Sequence, residues 1–111
     1  MTTKPIQPAD IIFVVDYQTE EIYEMCAGEF ARQYSGFEGH ARYDENADAY
    51  YAQTTDMDGN VHRFAFCETY EEAAYDLFLR LFSEAAMNES FSWHKTREQA
   101  ELNFSIYNQT R

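Results

Sequence analysis

Cysteine, proline, glycine and positive charge are all scarce in this chain of 111 residues. Its two cysteines, Cys26 and Cys67, are too few and too far apart for a disulfide framework or a zinc motif, so they read as buried free thiols. The four glycines, Gly28, Gly36, Gly39 and Gly59, give neither a GxGxxG fingerprint nor a Walker loop, which removes the phosphate-binding motifs. No apolar run is longer than Ile11-Ile12-Phe13-Val14-Val15, far short of a bilayer span, and the N-terminus has a single Lys4 and no apolar signal region. A cytoplasmic protein without membrane contact is therefore expected. Linkers, repeats and low-complexity tracts are missing too, so residues 1–111 read as one domain.

What the chain has in quantity is acid and aromatic rings. Twenty Asp and Glu against eight Lys and Arg leave a net charge of -12, while 45% hydrophobic and 17% aromatic residues mark a folded protein instead of a disordered one. The charge is uneven. Residues 1–89 carry eighteen acids against Lys4, Arg32, Arg42, Arg63 and Arg80, whereas residues 90–111 have Glu98 and Glu101 against Lys95, Arg97 and Arg111. A field of that sign repels nucleic acid and anionic membranes and speeds encounter with basic proteins. Acidity that serves only solubility is the plain alternative.

Ile11 to Val15, flanked by Asp10 and Asp16, reads as a buried strand. From Thr19 the spacing predicts a helix to Tyr34, with Thr19 as N-cap, Ile22, Tyr23, Cys26, Phe30 and Tyr34 on one face, and Glu20, Glu21 and Glu24 on the other. Ser35-Gly36 ends it. Phe37 to Asp48 reads as mostly loop, with a short strand near Arg42-Tyr43. Ala49 to Thr55 and Val61 to Cys67, joined through Asp58-Gly59, form a β-hairpin, because Asp-Gly supplies the positive φ angles of a tight turn. Thr69 and Glu72 stand at capping-box spacing and open a helix whose apolar stripe of Tyr70, Ala74, Leu77, Phe78, Leu81, Phe82 and Ala85, extended by Tyr75, Leu79 and Ala86, is wide enough to be covered from two sides or to form a subunit interface. Phe91 to His94 is a short strand or ordered loop, and Thr96 with Gln99 opens a last helix. The result is an α+β fold, a small antiparallel sheet including the 49–67 hairpin with about three helices packed on one face.

Catalytic and metal-binding patterns fail on inspection. Alternation along the second hairpin strand puts His62 and Cys67 on opposite faces, which prevents a dyad. No two histidines have the i, i+4 spacing of zinc ligands on a helix. Asp56, Asp58 and Asn60 imitate the start of an EF-hand loop, but Val61 stands where that loop needs Gly and Cys67 where it needs Glu. No cofactor, metal site or catalytic residue is expected, and an enzyme with an unrecognised site ranks third among the functional readings.

The remaining constellation is acid beside tyrosine. Glu20, Glu21 and Glu24 form one group; Asp44, Glu45, Asp48, Asp56 and Asp58 flank the hairpin near Tyr50 and Tyr51, which must point to opposite sides of their strand. Tyrosine beside charge is a good interface composition. In composition and layout only, the chain resembles small acidic inhibitors of nucleic-acid enzymes: DNA-mimic proteins, phage-type antagonists of host defence and immunity proteins of nuclease toxins. No family motif accompanies that resemblance, so it transfers no residue roles. It implies an inhibitor that binds a basic, nucleic-acid-handling protein through those ten residues, without touching nucleic acid itself. The alternative is a structural or regulatory homodimer using the wide apolar face of the 69–87 helix.

Overall fold

The computed structural model describes residues 5–110, so Lys4 and Arg111, counted in the charge above, lie outside the described residues. Element order is β1 (Ile11–Asp16), β2 (Glu21–Cys26), α1 (Ala27–Tyr34), β3 (Glu38–Asp44), β4 (Ala49–Thr55), β5 (Val61–Arg63), α2 (Tyr70–Ala86), β6 (Phe91–His94) and α3 (Arg97–Thr110). The class is α+β with antiparallel pairing throughout. The strands are divided between two three-stranded sheets, β2-β1-β6 and β3-β4-β5.

Each of the three hairpin turns opens on an aspartate whose Oδ1 accepts two backbone N–H groups. Asp16 accepts from Gln18 and Thr19 at 2.9 and 3.2 Å, Asp44 from Asn46 and Ala47 at 2.8 and 3.1 Å, and Asp56 from Asp58 and Asn60 at 3.0 and 2.9 Å. Asx turns of this kind replace backbone pairing at a chain reversal. In the first two, an acid takes the left-handed position that glycine usually fills: Glu20 at φ 60° and Asp48 at φ 48°.

The Asp16 turn overturns the helix expected from Thr19. Residues 21–26 are strand β2, paired with β1 from Ile11↔Cys26 to Asp16↔Glu21, and the helix is confined to 27–34. Thr19 accordingly caps nothing; its N–H is held by Asp16. Helix α1 has no side-chain cap at Cys26, and its first donors are satisfied by chain preceding β1: Ala27 N–H to Asp10 O at 2.8 Å and Gly28 N–H to Pro8 O at 2.9 Å. The segment expected to be mostly loop contains the seven-residue strand β3.

Helix α2 is the common wall. Thr69 caps it through the Glu72 N–H at 3.1 Å, as the sequence predicts. Phe82 touches Phe30 of α1 and Trp93 of β6 with ring centroids at 5.5 and 5.0 Å, so α1 and α2 cover the face of the first sheet that holds Ile12 and Val14. Helix α3 lies on the opposite face, where Arg97 sits 5.2 Å from the Phe13 ring centroid. The other side of α2 packs on β3 and β4. Contact there is close enough that a Cβ on Gly39 would overlap Leu77 Cδ1. Leu77, Phe78, Leu81, Phe82 and Ala85 are all buried in this core.

Candidate functional site

Cross-strand register decides which of the expected residues meet. Tyr43↔Tyr50 and Asp44↔Ala49 close β3 onto β4 at one end of the second sheet. Beyond β5 the chain bulges: Gln53 pairs Arg63, yet Tyr50 pairs Cys67, four residues along one strand against three along the other. Tyr50 and Cys67 exchange both backbone hydrogen bonds, 2.9 and 2.6 Å, which carries the start of α2 to the same end of the sheet.

There the rings form a chain. Tyr43 and Tyr50 have centroids 5.2 Å apart, and Tyr50 meets Tyr70 edge-on at 6.1 Å. Tyr43 and Tyr70 remain 49% and 53% exposed, so this is a ridge open to solvent and not a core. The Tyr43 hydroxyl donates to Asp48 Oδ1 at 2.6 Å; that bond is the chief reason its proton is held more tightly than an ordinary tyrosine's. Around the rings stand Asp44, Glu45 and Asp48 from the β3–β4 turn and Glu68, Glu71 and Glu72 from the start of α2, all exposed except the half-buried Asp44. The two ion pairs among the described residues, His62–Asp56 at 3.4 Å and Arg80–Asp76 at 3.3 Å, involve none of these six. Among the described residues, none of the six forms an ion pair.

Asp44, Glu45, Asp48 and Tyr50 are thus assembled as a group, and Tyr43, Tyr70, Glu68, Glu71 and Glu72 join them. Sequence reading placed Tyr70 in the helix stripe; at the first turn of α2, however, the helix has run past the sheet edge and the ring meets water. The other expected residues lie elsewhere. Tyr51 faces the opposite side of β4, with Arg63 5.9 Å above its ring and Phe66 edge-on at 5.9 Å. Asp56 and Asp58 are at the far end of β4, roughly 20 Å away at about 3.3 Å per residue. Glu20, Glu21 and Glu24 belong to the first sheet and its turn, exposed, but with Glu21 already accepting from Tyr23 Oη at 2.6 Å.

The bulge resets alternation, so Cys67 shares Tyr50's face and therefore the face of Thr54 and His62, contrary to the expected opposition. Four β4 positions still separate them, roughly 13 Å at strand spacing. Both thiols are half-buried instead of buried, and burial pushes the Cys67 thiol up, away from a reactive thiolate. Ser92 Oγ lies 2.8 Å from His94 Nε2, the spacing of a nucleophile and its base, but Tyr17 and Asn103 also bond that oxygen under α3. A groove of about 610 Å³ between α2 and the β5 edge holds Phe37, Phe64 and Leu79 with Arg80 stacked 3.6 Å over the Phe64 ring, and it is separate from the ridge. Among the described residues no three His, Cys, Asp or Glu side chains gather as metal ligands, and no helix is long and apolar enough to cross a membrane.

No protein-family model matches this chain, and no curated protein or solved structure matches it either.

Proposed function

We propose that this protein is a binding inhibitor that docks its tyrosine–carboxylate ridge on a basic, nucleic-acid-handling protein of the cytosol and blocks the cationic surface where nucleic acid would sit. The observation that carries this reading is the row of tyrosines, exposed Tyr43 and Tyr70 with half-buried Tyr50 between them, set among six carboxylates that make no ion pair among the described residues. Carboxylates at a protein's cationic groove compete with phosphates for the same lysines and arginines. Exposed tyrosine faces favour arginine, whose planar guanidinium stacks on a ring while pairing a neighbouring acid. Of the α2 residues a homodimer would use, Leu77, Phe78, Leu81, Phe82 and Ala85 are packed in the core, which favours the ridge over that reading, while Leu79 stays exposed.

The experiment is capture from the native host's lysate, followed by titration of the captured protein at rising salt and in competition with DNA. Affinity should fall steeply with salt, since screening acts over about 10 Å at 0.1 M. Replacing Glu45, Glu68, Glu71 and Glu72 by Gln with Tyr70→Ser should weaken binding at least tenfold, about 1.4 kcal/mol. Replacing Glu20, Glu21 and Glu24 by Gln on the first sheet should do much less. Equal effects from the two groups, or binding that ignores salt and leaves DNA in place, would sink the proposal.

A further inference from the structure

Helix α3 is held to the first sheet by little packing and a short polar chain. Ala100 is its one fully buried residue, while Leu102 and Ile106 are 63% and 51% exposed. The polar chain runs along the sheet face that α3 covers: Asn103 Nδ2 donates to the Tyr17 hydroxyl and, at 3.3 Å, to Ser92 Oγ; Tyr17 and Ser92 are 2.8 Å apart; and Ser92 meets His94 Nε2 at 2.8 Å. Tyr17 also touches Tyr107 with ring centroids 4.5 Å apart.

Counting donors orients the chain. A hydroxyl has one proton and two lone pairs, and neutral histidine has one donor and one acceptor nitrogen. If Tyr17 donates to Ser92, then Ser92 accepts from Tyr17 and Asn103 and must send its own proton to His94 Nε2. Every proton then has an acceptor inside the network, and all bonds point one way, an arrangement in which they reinforce one another. If His94 is instead protonated, Nε2 becomes a donor, Ser92 must turn its proton to Tyr17, and the Tyr17 hydroxyl proton is left without an acceptor among the described residues. Tyr17 is half-buried, so that proton turns out of the network toward solvent, and the chain that ties α3 to the sheet loses its one-way order.

We infer that α3 is a proton-released latch: protonation of His94 reverses the Asn103–Tyr17–Ser92–His94 chain and loosens the helix from the first sheet. The charged groups around His94 are Glu24, across β1 on the same face; Arg97, whose guanidinium lies over His94's cross-strand neighbour Phe13; and Lys95, the next residue along the chain. Glu98 and Glu101 on α3 are exposed. Two cations and one carboxylate do not favour a further positive charge, and burial alone already lowers the histidine's proton affinity. Release would uncover the face that holds Phe13, Val15 and Ile22.

The test is amide hydrogen exchange of α3 relative to α2 from about pH 7.5 to about pH 5, the interval over which histidine titrates. In the wild type, protection across residues 97–110 should fall severalfold more than across α2. In His94→Gln, whose side-chain oxygen can still accept from Ser92 but does not titrate, that difference should vanish with α3 protected at both pH values. Imidazole nitrogen chemical shifts of the wild type supply a second reading, with the proton expected on Nδ1 at the higher pH. A proton on Nε2 there, or the same loss of α3 protection in wild type and variant, would overturn the latch.

Discussion

The two sheets have the same strand count and antiparallel pairing, yet they are covered differently. In the first, β1 is enclosed on both sides: Ile12 and Val14 at 1% and 0% exposure toward α1 and α2, and Val15 at 0% toward α3. In the second, α2 covers Gly39, Ala52 and Thr54, while Tyr51, Gln53 and Thr55 on the alternate positions stay half-exposed. A strand covered twice reads as an unbroken apolar run, and one covered once reads as alternation. The first sheet is enclosed on both faces of its central strand, and the second has one face and one end open to solvent.

That contrast is broken most severely at the shared wall. Phe82→Ala removes the ring that joins α1, α2 and β6, and should cost about 3–5 kcal/mol in denaturant unfolding. An unchanged midpoint would mean that the first sheet does not depend on α2. Next, Gly39→Ala should cost about 1–3 kcal/mol, because the new methyl overlaps Leu77 and the sheet and helix must move apart. Thr69→Ala, which leaves the Glu72 N–H uncapped at the start of α2, should cost about 1 kcal/mol and also disturb Tyr70 in the ridge. On the open face, Thr55→Val should stay within about 0.5 kcal/mol of wild type, and a larger loss in thermal unfolding would reveal a cover that α2 does not provide.

Acid sharpens the comparison at small amplitude. The backbone N–H of Asn60, then the side chains of Asn60 and His62 and the backbone N–H of Asp58, hold the Asp56 carboxyl below its ordinary value, so its contribution is present above that ordinary value and fades as pH falls through the lower folded one. Asp56→Asn keeps an oxygen for the same two N–H groups but cannot titrate, and hairpin amide shifts should lose their acid-range inflection in that variant. His94, in the first sheet, acts in the same direction but nearer neutrality: its folded value is lowered, so stability is intact above the ordinary histidine value and declines as pH drops below it toward the folded one. Chemical denaturation at near-neutral and mildly acidic pH should register that decline in the wild type and not in His94→Gln.

Local chemistry made β1, the hairpin turn after β4 and the caps of α2 and α3 readable, although the second hairpin strand, expected to reach Cys67, stops at Arg63. Thr69 with Glu72 and Thr96 with Gln99 act within one turn, and Asp58-Gly59 reverses the chain with Gly59 at φ 87°. Strand β2 was misread because Thr19 followed by Glu20 and Glu21 is also a good helix start; what decides against it is Asp16, whose side chain captures the N–H groups of Gln18 and Thr19 and folds the chain back on β1. Strand β3 was hidden for another reason. Its inward residues Gly39 and Ala41 are small to admit α2, so no apolar alternation marks it.

Composition and groups a few residues apart account for the α+β class, the net charge of -12, the Asp58-Gly59 turn and the caps of α2 and α3. Tertiary structure sets Asp56 and Asp58 at the opposite end of β4 from Tyr50 and brings Tyr43 and Tyr70 into one ridge. Those outcomes depend on strand register and on a one-residue bulge between Arg63 and Cys67. Pairing of Gln53 with Arg63 and of Tyr50 with Cys67 fixes both, and no apolar pattern in the chain marks the extra residue between them.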